Sequence, residues 1–292
     1  MLRRGRPGEA ARDTLIAHLS GQIGLAYAFV EREIALSKRY WAWELVWLVY
    51  GIVTSLSVAY IGLALPTISG GEVDQATVSY TVLYLLVGTI AWRFLGIIFE
   101  NIGEVIAWER WEGTIEQTFM SPVPRFTHLI GMCGATLVRA TAFSIAILGA
   151  VTLFVPVDLS RANVLSALVL LAVGALAFVG LGIASASFPL LWTEKGLQMA
   201  YIVQAVVLLV SGVYYPVSVL PGWMQVLSTI SPATYVIDGM RMALLDGADL
   251  LTLWPKVWPA LVVGVLSVPL GLRLFVAVER YAKRTGRLKR SG

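Results

Sequence analysis

Thiols, imidazoles and charges are all scarce in this chain. A single cysteine, Cys133, among 292 residues excludes a disulfide framework and a thiolate metal site. The two histidines, His18 and His128, are far apart and lack ligand spacing, so no metal is expected. Charged residues make up 14% of the chain, where soluble domains carry about 25%. No Gly-x-x-x-x-Gly-Lys-Ser/Thr phosphate loop occurs, and Lys195 precedes Gly196 in the wrong order for one. The paired carboxylates, histidine clusters or nucleophile–base pairs that an interfacial enzyme needs do not appear. The start, Met1-Leu2-Arg3-Arg4, runs into polar sequence and does not read as a signal peptide.

What the chain has instead is apolar length. Hydrophobic residues are 58% of the sequence, above the about 45–50% of soluble domains. Six long runs cover roughly 43–65, 78–99, 130–155, 164–191, 197–215 and 257–278. A helix needs about 20 apolar residues to cross the hydrocarbon, and in lipid only a helix or a closed barrel satisfies its own backbone. The runs are continuous rather than alternating, so they read as helices. The expected fold is an all-α polytopic membrane protein with six transmembrane helices.

Positive charge sets the expected orientation. Lys and Arg crowd the region before the first run (Arg3, Arg4, Arg6, Arg12, Arg32, Lys38, Arg39) and the tail after the last (Arg280, Lys283, Arg284, Arg287, Lys289, Arg290). Six spans put both termini on one side, so both are expected in the cytoplasm of a cell-membrane protein. The net charge of +4 then reflects the inner membrane surface and calls for no nucleic acid. The expected organisation is a polar N-terminus at 1–21, an interfacial amphipathic helix at 22–41, a six-span domain at 42–279 and a basic tail at 280–292. Ile23, Tyr27, Val30, Ile34 and Trp41 recur at helical spacing in that second segment, which suits a helix lying on the membrane surface or a plain extension of the first span.

Residues 216–256 are too apolar for a solvated loop, yet Pro216, Pro221, Pro232 and Pro255 interrupt them. Two short helices near 222–230 and 233–245 fit, split at Ser231-Pro232. They read as re-entrant helices in the outer leaflet, or as an apolar extracellular cap. Asp238 and Arg241 share a face there, and Lys256 is expected in water.

The connection from Glu100 to Gly131 is the most specific stretch. On one helical wheel Trp108, Trp111, Ile115 and Phe119 form a stripe beside an acidic edge of Glu109, Glu112 and Glu116, ended by Ser121-Pro122-Val123-Pro124. Such a helix suits docking in a partner's groove or resting on the bilayer. Acidic side chains beside anionic headgroups favour the protein partner.

Glu109-Arg110-Trp111-Glu112-Gly113-Thr114-Ile115-Glu116 followed by Ser121-Pro122 resembles the "E-R-x-x-G-T-[LI]-E … S-P" coupling segment of type-2 ABC (ATP-binding cassette) exporter permeases. The run Ser211-Gly212-Val213-Tyr214-Tyr215-Pro216 … Leu220-Pro221-Gly222-Trp223 … Ser231-Pro232-Ala233-Thr234-Tyr235 … Asp238-Gly239-Met240-Arg241 is similar to that family's region before the last helix. The resemblance implies a transport subunit, not itself an enzyme, that pairs with a second copy of itself. Two copies of a separate ATPase would bind ATP and Mg²⁺, this chain holding no cofactor. Glu109 to Glu116 would be the coupling helix to the ATPase. Tyr215, Pro216, Pro221, Trp223, Pro232, Tyr235, Asp238 and Arg241 would form an extracellular gate. Family substrates include drugs, lipid-linked glycans and other amphiphiles, so multidrug efflux is one expectation. The alternatives are an ion-coupled secondary transporter, for which no internal repeat is visible, and a membrane-embedded lipid-modifying enzyme.

Three arginines fall inside the runs. Arg93 and Arg273 are expected to snorkel toward the inner interface, although Arg93 shares a face with Glu100 and Glu104. Arg139 is the stronger candidate for a functional or dimer-buried charge.

Overall fold

The computed structural model describes residues 24–25, 27–71, 73–114, 117, 120, 125–192 and 194–285. Every regular element among them is a helix. An N-terminal helix over 27–39 leads into α1 (Trp41–Leu63) and the short α2 (Leu65–Ser69). Then come α3 (Gln75–Glu112), α4 (Arg125–Thr152), α5 (Val164–Ser185), α6 (Ser187–Leu191) and α7 (Gly196–Val210). A 3-10 turn, Val217–Val219, precedes α8 (Gly222–Ile230), α9 (Pro232–Leu245) and α10 (Trp254–Arg284). Five stretches are long and apolar enough to cross a membrane: α1, α3, Gly131–Thr152 of α4, Val164–Leu191 and α10.

The sixth expected run is shorter than the sequence suggests. Helix α7 stops at Val210 after 15 residues, about 22 Å at 1.5 Å per residue, against a hydrocarbon core of about 30 Å. The apolar pattern continues to Tyr215, but Gly212 sits at φ 68°, a left-handed position that ends the helix. The stretch 211–216 continues from it without regular helix.

Helix α3 exceeds the expectation in the other direction. Its 38 residues span about 57 Å, well beyond one membrane thickness. Asp74 caps its N-terminus, its carboxylate accepting from the Thr77 amide at 3.3 Å. Hydrogen bonds from Thr77 hold the Asp74 carboxyl below the usual carboxylate range. The helix ends on Gly113 at φ 78° in a Schellman motif: Gly113 N–H donates to Arg110 O and Thr114 N–H to Glu109 O.

The core forms where α3, α5, α9 and α10 meet. Leu95, Ile98 and Ile102 of α3 are fully buried with Leu170, Phe178 and Ile183 of α5 and Phe275 of α10. Helices α5 and α10 approach through small residues. A Cβ on Gly271 would lie 2.5 Å from the Gly180 carbonyl oxygen, and Ser267 Oγ donates to Ala177 O at 3.3 Å. Helix α1 buries only Gly51, Ser55, Ala59 and Gly62. It leaves Trp43, Val46, Val49, Val53 and Ile61 exposed, the surface of a helix that faces lipid on most sides.

Two ends of the bundle can be told apart. The basal end gathers the N-terminal helix, the C-terminal turns of α3 and α10, the start of α4, and α6. The apical end holds α2, the 153–163 connection, and α8 with α9.

Candidate functional site

At the basal end the last turn of α3 is bolted to its neighbours. Glu109 is 3% exposed, and its Oε1 lies 3.2 Å from Nε2 of the equally buried His128 on α4. Phe29 of the N-terminal helix stacks on that imidazole at 4.8 Å between centroids. Arg110, also buried, donates from Nη1 to the Pro189 carbonyl of α6 at 3.0 Å. Glu112 lies 3.8 Å from Arg32. Burial pushes the neighbouring Glu33 carboxyl up, with Arg32 pulling it the other way. Trp111 is 76% exposed and packs edge-on to Trp108 at 5.5 Å.

These positions correct the sequence reading of the coupling segment. Glu109 to Glu116 is not one continuous amphipathic helix, because Gly113 terminates α3 inside it. Glu109 does not lie on an outward acidic edge. It faces inward, where its Oε1 lies 3.2 Å from Nε2 of His128, a residue expected to be isolated. Thr114 Oγ1 donates back to Glu109 O at 3.3 Å. Ile115, Glu116, Phe119 and residues 121–124 lie outside the described residues.

At the apical end Arg241 is the organising group. It is 5% exposed, and its guanidinium donates to three backbone carbonyls: Gly212 O at 2.9 Å, Val213 O at 2.6 Å and Tyr84 O at 3.2 Å. The same group lies 3.5 Å over the Tyr84 ring. Carbonyls that the early end of α7 leaves without helical partners are thus satisfied by α9. Gly88 of α3 makes room: a Cβ there would run into Val213 O and sit 2.6 Å from Arg241 Nη2. Asp238 is 3.9 Å from Arg241 but 3.0 Å from Lys256 Nζ, so Asp238 pairs mainly with the lysine and Lys256 is not free in water.

Serines lace the rest of this junction. Ser211 and Ser231 hydroxyls are 2.7 Å apart, and Ser228 Oγ donates to Val210 O at 2.5 Å. Tyr215 and Tyr235 donate to Leu209 O and Thr229 O, both at 2.7 Å. Pro221 precedes α8 and Pro232 opens α9. Trp223 of α8 is exposed, while α9 is buried along most of its length. Pro216 precedes the 3-10 turn.

Between the two ends a cavity of about 150 Å³ opens among α1, α3, α7 and Tyr214. Tyr50, Trp92 and Tyr214 supply rings to it, and Arg93, Glu100 and Gln204 supply polar groups. Gln204 donates to Glu100 Oε1 at 2.8 Å. One turn toward the basal end, Tyr201 donates to Glu104, which also accepts from Trp108 Nε1 at 3.1 Å.

A model of the family described as "ABC-2 type transporter" matches residues 25–245. The chain belongs to the ABC-2 type transporter family. The resemblance noted in its coupling and pre-terminal motifs is therefore borne out. Two curated relatives, both named "Probable multidrug ABC transporter permease YbhR", come from Escherichia coli K12 and O157:H7. Each is 26% identical over 158 residues, covering 54% of this chain and 42% of the relative. The chain thus matches less than half the length of those relatives.

In this ABC-2 chain, sequence reasoning missed the partners more than the principals. Arg139 was singled out, but not Glu44 of α1, whose Oε2 lies 2.9 Å from Arg139 Nε, nor Asn101, which accepts from Nη1 at 3.2 Å. The signal was an acid in the first turn of an apolar run. Arg93 Nε sits 3.7 Å from where a Gly51 Cβ would be. Gly51 is ten residues along α1 from Trp41, about 15 Å. Arg273 is exposed on α10.

Proposed function

We propose that the chain is the membrane permease subunit of an ATP-driven exporter that moves a hydrophobic or amphipathic substrate, drug-like or lipid-linked, out of the cytoplasm or inner leaflet. The observation that carries this reading is the single rigid α3. It runs about 57 Å from the Asp74 cap at the apical end, past the cavity, to a basal turn fixed by Glu109–His128 and Arg110–Pro189. A displacement at the Trp108–Thr114 turn reaches the cavity wall through one helix rather than through a flexible loop. That suits a device which converts events in a partner ATPase into opening and closing of a path.

In this reading the basal end is cytoplasmic and holds both termini, and α7 with its following turn is the sixth crossing. The N-terminal helix lies at the inner interface. The turn from Trp108 through Thr114 and the residues after it couple to the ATPase, with exposed Trp111 and Glu112 as the first contacts. Two copies of the chain and two ATPase subunits form the transporter, and ATP and Mg²⁺ bind to the ATPase. Helices α8 and α9 re-enter the outer leaflet and, with Arg241, hold the apical gate. The name of the YbhR relatives favours drugs among the candidate substrates.

The test is ATP-dependent efflux of a fluorescent amphiphile from proteoliposomes that hold the permease with its ATPase. Charge reversal at Glu112 is expected to weaken ATPase association while membrane insertion persists. Efflux that continues without ATP or without the ATPase would overturn the proposal.

A further inference from the structure

Arg110 is held by the Pro189 carbonyl; Arg241, Arg139 and Arg93 are treated very differently. Arg241 donates three hydrogen bonds to carbonyls and stacks on a ring. Arg139 forms a close ion pair with the Glu44 carboxylate at 2.9 Å, without hydrogen-bond geometry at Nε, and donates from Nη1 to the Asn101 amide oxygen at 3.2 Å. Arg93 has neither kind of support. Its one ion-pair contact among the described residues is Glu100 at 4.0 Å, beyond hydrogen-bonding reach. Its Nε is buried without an acceptor. The Glu100 carboxylate is turned toward Gln204 instead.

Arg93 is also the arginine that lines the cavity. Its side chain reaches α1 beside Gly51, ten residues from Trp41, within the apolar stretch of that helix. A guanidinium among apolar spans is costly and is normally paired. The nearby Thr54 and Thr89 hydroxyls donate to Tyr50 O at 2.8 Å and to Leu85 O at 2.7 Å. The same cavity is lined by the aromatic residues Tyr50, Trp92 and Tyr214. Such rings pack an apolar tail or body, and a guanidinium offers a planar fork to a phosphate or carboxylate.

We propose that this cavity receives the anionic headgroup of an amphiphile, a phosphate or carboxylate that takes the unmet donors of Arg93, with the apolar part against Tyr50, Trp92 and Tyr214. The inference rests on the exporter reading and narrows its substrate to anionic amphiphiles. Arg93 is then a binding residue, and Glu100 is the internal counter-charge that the substrate displaces. Neutralising Glu100 strengthens binding rather than abolishing it.

The experiment uses the complete permease–ATPase complex in lipid nanodiscs of a neutral lipid. Three amphiphiles of equal chain length serve as probes: dodecyl phosphate, dodecyltrimethylammonium and dodecyl maltoside. Tryptophan quenching reads binding directly, and ATPase stimulation reads coupling. Dodecyl phosphate is expected to bind at least about tenfold more tightly than the other two, a difference on the order of one charge-assisted contact. Arg93→Gln should remove that preference, Arg93→Lys should keep part of it, and Glu100→Gln should tighten binding of the phosphate. Nanodiscs made with phosphatidylglycerol separate a lipid headgroup from a free amphiphile: competition by the lipid identifies the headgroup as an occupant of the same site. Equal binding of all three probes, or tighter binding of the cationic one that Glu100→Gln abolishes, would overturn the anionic assignment and leave the exporter reading standing. A complex that never forms with an ATPase would instead remove the exporter reading itself.

Discussion

Replacing Arg241 with alanine should damage the apical end more than any other single charge removal there. The side chain serves the carbonyls of Gly212, Val213 and Tyr84. Tyr84 lies within α3 and keeps its helical setting, but Gly212 and Val213 lie in the turn after α7. Each buried acceptor left without a donor costs about 1–3 kcal/mol, so the pair costs about 2–6 kcal/mol. Relief from burying a guanidinium offsets part of this, leaving a net loss of about 1–5 kcal/mol. Lys256→Ala gives the comparison. Lysine 256 is 34% exposed and pairs with an equally accessible Asp238, which is worth about 0–1 kcal/mol. The assay is the thermal midpoint and ATP-driven efflux of the purified permease–ATPase complex. Arg241→Ala should lower both clearly, Lys256→Ala should stay near wild type, and Arg241→Lys should not restore the loss because an ammonium cannot reach three carbonyls at once. Gly88→Ala attacks the same contact from α3 and should mimic it. A thermal midpoint for Arg241→Ala equal to that of Lys256→Ala would refute the reasoning.

Other outcomes follow from the basal end and the caps. Glu109→Gln and His128→Ala should each destabilise the protein, and the double variant should lose much less than their sum, with a coupling of about 0.5–3 kcal/mol for groups in contact; additive losses measured by denaturation would contradict the pairing. Gly113→Ala forces a β-carbon onto a residue at φ 78° and should cost about 1–2 kcal/mol, read as a lower thermal midpoint with uncoupled ATP hydrolysis. Because its folded-state carboxyl is held below the ordinary range, Asp74 contributes stability that is present above the unfolded pKa and is lost as pH falls below about 4. Asp74→Asn should flatten that acid limb in a pH series of midpoints, and an unchanged limb would show that the cap carries none of it.

Much of this fold can be read from apolar run length, and the exceptions have local causes. The boundaries of α8 and α9 follow from Pro221, Ser231 and Pro232, residues that set backbone angles by themselves. The end of α7 was misjudged because hydropathy continues through Val213, Tyr214 and Tyr215, while the determinant is one glycine in a left-handed conformation and an arginine 29 residues away. The end of α3 was misjudged for the same reason: Gly113 was visible, but its role as a stop depends on a backbone angle. The inward turn of Glu109 depends on His128 arriving from another helix. Arg93, Arg139 and Arg241 could all be picked out as charges among apolar residues. Only the packing shows that Arg241 is held by three carbonyls, that Arg139 is paired closely with Glu44 and Asn101, and that Arg93 has a single ion-pair contact at 4.0 Å among the described residues.

The most direct test of the division of labour is the native mass of the complex purified through the permease after co-expression with its ATPase. Two permease chains and two ATPase subunits, with ATP hydrolysis confined to the ATPase, is the predicted result. A permease that purifies alone and transports substrate without any ATPase would contradict it.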